Sequence, residues 1–396
     1  MKNLLMISHS SKSSGGGEED FLRLLKEFSG MYRIHAVFPK GAKSESFRQY
    51  SYSFLEIPDF MFPFEQFNLK KYLFYIYFSM AKIPMLFEYL GEIKGIIDLC
   101  YVNSSACLIE ILILNILRIP YVISVKEIIN PGVVRKLIYR YIGGTSLKVI
   151  LISRYLERLF LGQCPRVRDV LIHSSIEEEE YLEIAKGLKT VNDEVFTMIN
   201  IGGIQKLKNQ ILLLNALINY KGRRKIKAVF VGEIIEKKYY EKIASVARNI
   251  ANDKVSVEFK GALCKVDTIK EICASHCVVI TSLSEGMSIV AAEALFLGKP
   301  LLAVEVGVIP EAVIDGYNGF VLRPPLPDAL KKLTDNREIN DTNLKNVKNG
   351  NYQSEKSYLP QNLLDCIMSY PLDAIEFPRA LCSVLSSPYV KKLAVS

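Results

Sequence analysis

The chain has 396 residues, 49% of them hydrophobic, with 50 Lys and Arg against 42 Asp and Glu, a formal net charge of +8. That length predicts two domains; no apolar run reaches the ~18 residues of a membrane span, and residues 1–7 lack the marks of a secretory leader. Eight scattered cysteines fit a reducing compartment, and the charge suits an anionic nucleotide or membrane surface, with no nucleic-acid motif in view.

Residues 3–7 read as a first buried parallel strand, followed by a polar loop, the glycines Gly15, Gly16 and Gly17, and a helix over 18–28 with apolar positions at 21, 22, 24, 25 and 28. Strand, glycine loop and helix let backbone amides approach a phosphate or a sugar. The dinucleotide fingerprint Gly-x-Gly-x-x-Gly is absent. Residues 34–38 read as a second strand. Residues 54–90 are dense in Phe, Tyr and Met, with Lys70, Lys71 and Lys82 threaded through them. They read either as an interfacial segment, with the three lysines on one face, or as a helix packed on the sheet with a few aromatics showing.

Residues 95–102, 120–125 and 148–153 read as further strands, with helices over 106–117 and from 154 onward. Residues 170–176 read as the last strand of the first domain and the crossing to the second. The acidic run 177–180 reads as a solvated helix start. The predicted division is a first domain over 1–176, a linker over 177–194, a second domain over 195–365 and an unassigned tail over 366–396.

In the second domain, strands are predicted at 196–201, 228–232, 255–261 and 278–281, and helices at 237–250 and 266–275. Alternating strands and helices imply parallel sheets with right-handed crossovers, whose ligands bind beyond the carboxyl ends of the strands. The loops at Gly15, Gly202, Gly232 and Glu285 all follow strands and are expected to face one cleft. Cys273, His276 and Cys277 lie close together, but they supply too few ligands for a metal and read as core.

Residues 284–319 hold the densest chemistry. Glu285 and Glu293 stand with seven residues between them, and a short apolar helix over 289–297 is closed by Gly298. The free amides at Gly286, Met287, Ser288 and Ile289, with the helix dipole, suit an anion. Glu293 on an apolar helix needs a partner or a ligand, and a ribose diol is a natural one. Gly298-Lys299-Pro300, residues 306–311 ending in Pro310-Glu311, and Asn318-Gly319 follow in order.

This ordered block resembles the donor site of the family 4 retaining glycosyltransferases. The resemblance, over residues 1–365, implies the GT-B fold: two Rossmann-like domains with parallel sheets facing a central cleft. It implies transfer of a sugar from a nucleotide-diphosphate donor, UDP- or GDP-linked, to a glycan or lipid-linked acceptor in cell-surface glycoconjugate synthesis, without a metal or other cofactor. Glu285 and Lys208 would be catalytic. Glu293, Gly286, Met287, Ser288, Ile289, Gly202, Gly203, Gly232 and Lys206 would hold the donor. Gly15, Gly16, Gly17, Ser124, Lys126 and Glu127 would line the acceptor and diphosphate loops. The expected location is the cytoplasm, including the inner face of the plasma membrane.

Two positions depart from the family pattern. Gly203 stands where an Arg of the diphosphate clamp is usual, with Lys206 as its substitute, and Ser124 stands where many relatives place a histidine. These departures leave open a non-catalytic subunit that binds a sugar nucleotide or a partner glycosyltransferase. A sugar-nucleotide epimerase is the other rival, poorly matched by only four histidines.

Overall fold

The computed structural model describes residues 1–322 apart from 12–15, 59–68, 130–132, 166, 174–175, 177, 187–193, 219, 221–223 and 315–316; the side chains of 69–76, 78–79 and 178 also lie outside that description. Two compact units emerge; of the described residues the first takes in Met1–Ser175 and Glu285–Ile289, and the second Ile176–Ser284 and those from Val290 on.

The first unit is built on β1 (Asn3–Ile7), β2 (Arg33–Pro39), β3 (Ser53–Ile57), β4 (Leu99–Val102), β5 (Tyr121–Val125), β6 (Lys148–Leu151) and β7 (Asp169–Leu171). They pair in parallel in the order β3-β2-β1-β4-β5-β6-β7. The apolar runs follow from burial of both faces of the sheet. Leu5, Ile7, Val102, Ile123 and Val125 feed one core, while Leu4, Met6, Ala36 and Phe38 feed the other. The period of two within β1 sends neighbours to opposite faces.

The second unit holds β8 (Val195–Ile201), β9 (Lys225–Val231), β10 (Val255–Gly261), β11 (Cys277–Ile280), β12 (Leu301–Val304) and β13 (Gly319–Leu322), in the order β10-β9-β8-β11-β12-β13. Its pairings are parallel too. In each sheet the chain starts in the middle, builds outward on one side, then returns to the other. The strand order reverses beside β1 and beside β8, and such a reversal is where open parallel sheets bind ligands.

The described side chains of the segment 54–90 follow the packed-helix reading rather than the interfacial one. Its start belongs to β3, and its end is helix Leu69–Ile93, packed on the sheet through Leu86 and Leu90. Lys82 is 3% exposed and its Nζ donates to Glu110 Oε1 at 2.7 Å, on helix Leu108–Leu117. An ammonium buried against a carboxylate cannot face lipid or water, so Lys82 is not part of a shared basic surface. The side chains of Lys70 and Lys71 lie outside the described residues. Among the described residues no helix is long and apolar enough to cross a membrane.

Candidate active site

The second unit's site starts at the carboxyl end of β8. Gly202 and Gly232 have φ of +149° and +153°, values that side-chain-bearing residues rarely adopt. A Cβ built on Gly232 would stand 2.1 Å from the Gly202 carbonyl oxygen, so the loops after β8 and β9 touch backbone to backbone. The Gly202 amide donates to Val231 O (2.8 Å) and the Ile204 amide to Glu233 O (2.7 Å). Over this cleared surface lies Lys208, whose Cδ and Cε are 3.4 Å from the point where a Gly202 Cβ would sit. Gly203 is less constrained, since its added Cβ would meet chiefly the tip of Ile235.

The loop after β8 is tied to the loop after β11. Thr281 Oγ1 donates to Lys208 O at 2.7 Å, and the Leu283 amide donates to Leu207 O at 2.8 Å. Buried Asn200, near the end of β8, donates through Nδ2 to Val279 O (2.8 Å) and Thr281 Oγ1 (3.3 Å). These bonds fix the backbone that carries Lys208, half-buried, while Lys206 is exposed. The Lys206 amide donates to Glu236 Oε1 at 3.3 Å. Nearby Lys242 has its ammonium pulled below its usual range, first by burial and second by the charge of Lys206.

Beyond Thr281, Glu285, Gly286 and Met287 are partly exposed and Ser288 is buried, ahead of helix Ile289–Phe296. Gly298, at φ +69°, closes that helix, with Lys299 N donating to Ala294 O at 2.8 Å. Glu293 sits among buried Ala291, Ala292, Ala294 and Leu295, and its Oε1 accepts from Tyr181 Oη at 2.5 Å. Asn318 closes the turn before β13, accepting from the Ile314 amide (2.8 Å) and donating to Ala312 O (3.0 Å).

In the first unit, Gly16 and Gly17 form the first turn of helix Gly16–Ser29, and Gly15 lies outside the described residues. Ser124 is buried in β5, and the hydroxyl of nearby Tyr101 donates to Asn103 Oδ1 at 3.2 Å. Lys126 donates to Asp20 and, at 2.8 Å, to Asn103 Oδ1. Burial pushes its ammonium down, but the Asp20 carboxylate, with Tyr101 and Glu127, outweighs burial and leaves it above its usual range. Glu127 accepts from Ser104 Oγ (2.5 Å), Ser105 N (3.1 Å) and Ser105 Oγ (2.7 Å). Asn103 Nδ2 donates to Gly17 O at 3.1 Å. Lys126 and Glu127 therefore anchor a network joining helix Gly16–Ser29 to the loops after β4 and β5, beside the strand-order reversal.

Sequence reading missed Asn200, Thr281, Tyr181, Asp20 and Asn103. Each acts across a loop or between distant segments, as with Lys126 and Asp20, 106 positions apart. Cys277 is buried, its thiol pushed up to about 12 by burial, and His276 Nδ1 accepts from the Thr197 amide at 3.0 Å.

Comparison with known proteins bears on this geometry. Residues 184–353 match the family model described as glycosyl transferases group 1. That span takes in Gly202, Lys208, Glu285 and Glu293. An uncharacterized glycosyltransferase of Methanocaldococcus jannaschii is 25% identical over 250 residues, 61% of this chain and 66% of the relative. An uncharacterized 41.2 kDa protein from the cps region of Klebsiella pneumoniae is 25% identical over 48% of this chain and 57% of its own length. The matches thus span less than two thirds of each of these curated relatives. Among solved structures, Anabaena HepE in complex with UDP and glucose is similar over 100% of both chains, with TM-score 0.67 and 18% identity. Sucrose-phosphate synthase of Thermosynechococcus elongatus gives TM-score 0.64 and 15% identity, again over 100% of both chains. The fold is that of the GT-B glycosyltransferases.

Proposed function

We propose that the chain is a retaining glycosyltransferase that uses a nucleotide-diphosphate sugar. The observation that carries the reading is Lys208 lying across the glycine surface at Gly202, on backbone tied to the loop that leads to Glu285. A cation held over a bare glycine backbone suits a departing diphosphate, because fixed charge stabilises the negative charge that develops as the sugar–phosphate bond breaks. Glu285 would hold the donor sugar, the amides of Met287–Ile289 the phosphates, and Glu293 the ribose diol. An acceptor hydroxyl would form the new glycosidic bond on the face the diphosphate leaves, its proton passing to the leaving group. The reading needs no resident metal, since Lys208 and the amides supply the positive charge. The HepE complex with UDP and glucose favours a uridine nucleotide as the first donor to try.

The acceptor is read as a glycan or a lipid-linked sugar in cell-surface glycoconjugate synthesis. Helix Val133–Thr145 supports the lipid-linked form, with Val133 72% and Leu137 61% exposed beside exposed Lys136 and Arg140. Apolar and basic residues on one exposed helix suit an anionic membrane surface, here the cytoplasmic leaflet.

The test is a thermal-shift screen of UDP- and GDP-sugars, followed by assay of donor consumption. A donor present at a hundred times its Kd stabilises the fold by about 2.7 kcal/mol. The expected result is one stabilising donor that is turned over with the same anomeric configuration in product as in donor. Binding without turnover against any acceptor would favour the non-catalytic subunit, and no stabilisation by any sugar nucleotide would overturn the reading.

A further inference from the structure

We infer that Tyr181 is a positioning residue for the donor nucleotide, acting through Glu293; the inference rests on the reading of Glu293 as the ribose-binding acid. Tyr181 lies on helix Glu178–Ala185, within the stretch whose composition suggests a solvated linker. Its side chain is nevertheless only 2% exposed. Among the described residues, Phe296, Lys265 and Glu293 hold the phenol. Phe296 meets the ring edge-on, with centroids 6.1 Å apart and planes at 85°. Lys265 Nζ stands 5.1 Å from the ring centroid, and the same ammonium pairs with Glu180 Oε2 at 2.5 Å. The hydroxyl donates to Glu293 Oε1 at 2.5 Å.

Each contact restricts a different freedom. Phe296 belongs to the same helix as Glu293, one turn further on, so ring packing sets the height of the phenol along that helix. The Lys265 ammonium over the ring face limits its tilt, and its bond to Glu180 ties that limit to the backbone of helix Glu178–Ala185. The remaining variable is the direction of the hydroxyl, and the Glu293 carboxylate takes it. A phenol donating to an ionised carboxylate makes a short, charge-assisted bond. It fixes where one oxygen sits, and hence the plane of the carboxylate.

A glutamate side chain otherwise rotates about three bonds. A diol that must be met by both its hydroxyls binds best to a carboxylate whose plane is already set, because less ordering remains to be done on binding. Tyr181 thus prepares Glu293 for a ribose without touching the nucleotide. A purely structural tyrosine would give the fold stability alone. A positioning tyrosine also changes how strongly the site distinguishes a ribose from a sugar without its hydroxyls.

The experiment uses the full chain, with Tyr181→Phe, which keeps the ring against Phe296 and Lys265, and Glu293→Gln. UDP and 2′,3′-dideoxy-UDP are titrated calorimetrically into each, and melting temperatures are recorded without ligand. The expected result is a wild-type preference for UDP of about ten- to hundredfold, lost in Glu293→Gln and mostly lost in Tyr181→Phe. A preference lost in Glu293→Gln but intact in Tyr181→Phe would overturn the inference while leaving the ribose role of Glu293 standing, whatever the melting temperatures do. A wild type indifferent to the ribose hydroxyls would overturn the reading of Glu293 itself, and with it the role of Tyr181.

Discussion

Gly232 and Gly202 meet backbone to backbone, with 2.1 Å between a Cβ built on Gly232 and the Gly202 carbonyl oxygen. Neither partner in that contact is a side chain that could rotate away. Gly232→Ala is therefore expected to destabilise the second unit by about 1–3 kcal/mol. Gly203→Ala provides the contrast, because its Cβ would meet the tip of Ile235, a side chain that is 57% exposed. Its cost is expected to stay within about 0.5 kcal/mol. Urea unfolding of the two variants side by side checks both values. Equal stabilities would mean that the loop at Gly202 relaxes freely.

Gly203→Arg places a guanidinium where relatives of the proposed family carry an Arg. If Lys208 alone faces the diphosphate, the added charge-assisted contact should tighten UDP by up to about 1.5–3 kcal/mol. Calorimetric titration measures it. Weaker binding would show that the phosphates need the bare backbone at Gly203.

The Lys82–Glu110 pair joins helices Leu69–Ile93 and Leu108–Leu117 in the interior of the first unit. Removing one partner strands a buried charge. Lys82→Met and Glu110→Leu should each cost about 3–5 kcal/mol, while the double variant should cost much less, because well-packed apolar residues often replace a buried pair without loss. Equilibrium denaturation of the three variants supplies the coupling energy. Additive losses would contradict an interaction between the two side chains.

His35 gives a pH dependence of known sign. It is buried on β2 between Ser53 on β3, with Nδ1 at 2.7 Å from Oγ, and Asn3 on β1, with Nε2 at 3.2 Å from Oδ1. Burial, and secondarily the charge of Arg33, hold the imidazole below its ordinary 6.5. The unfolded chain then binds the extra proton more readily than the folded one. This contribution is complete above pH 6.5 and declines as pH falls from there toward the lowered folded value. Denaturation between pH 5 and 8 should show a stability that falls with acid, with a shallower slope in His35→Gln. An unchanged slope in that variant would assign the effect elsewhere.

For the membrane reading, binding to anionic vesicles should fall with added salt. It should also fall about thirtyfold in Lys136→Glu/Arg140→Glu, from about 1 kcal/mol for each basic residue near the surface. Val133→Ser/Leu137→Ser should weaken binding at all salt concentrations. Equal sedimentation with and without vesicles at low salt would remove the membrane from the proposal.

Local pattern carried the strands well, and for a physical reason. A strand buried on both faces is mostly apolar along its whole length, so Asn3–Ile7, Val195–Ile201 and Cys277–Ile280 announce themselves without knowledge of their neighbours. Glycine loops after strands are legible too, because close backbone approach at Gly232 and a φ of +149° at Gly202 favour glycine there. β3 was hidden, since Ser53–Ile57 is a mostly half-buried edge strand with Glu56 inside it and merges into an aromatic stretch. Lys82 looked like a surface residue because its counter-charge, Glu110, lies 28 positions away. The hydroxyl that meets Glu293 comes from 112 positions away, and no spacing within residues 284–319 could have pointed to it. Chemistry that depends on what a side chain touches was legible only where the partner is local.

The strand reversal beside β1 has a consequence for the birth of the molecule. β1 finds β2 within about thirty residues, but its other edge pairs with β4, where Leu4 faces Leu99 and Ile7 faces Val102. At roughly 5–20 residues per second, a ribosome needs about 5 to 20 seconds to make the intervening chain. For that interval this apolar strand shows an open row of amides and carbonyls to whatever is near. A strand inside the finished sheet is thus an edge while the chain is being made, and the nascent first unit is open to unwanted pairing until β4 arrives.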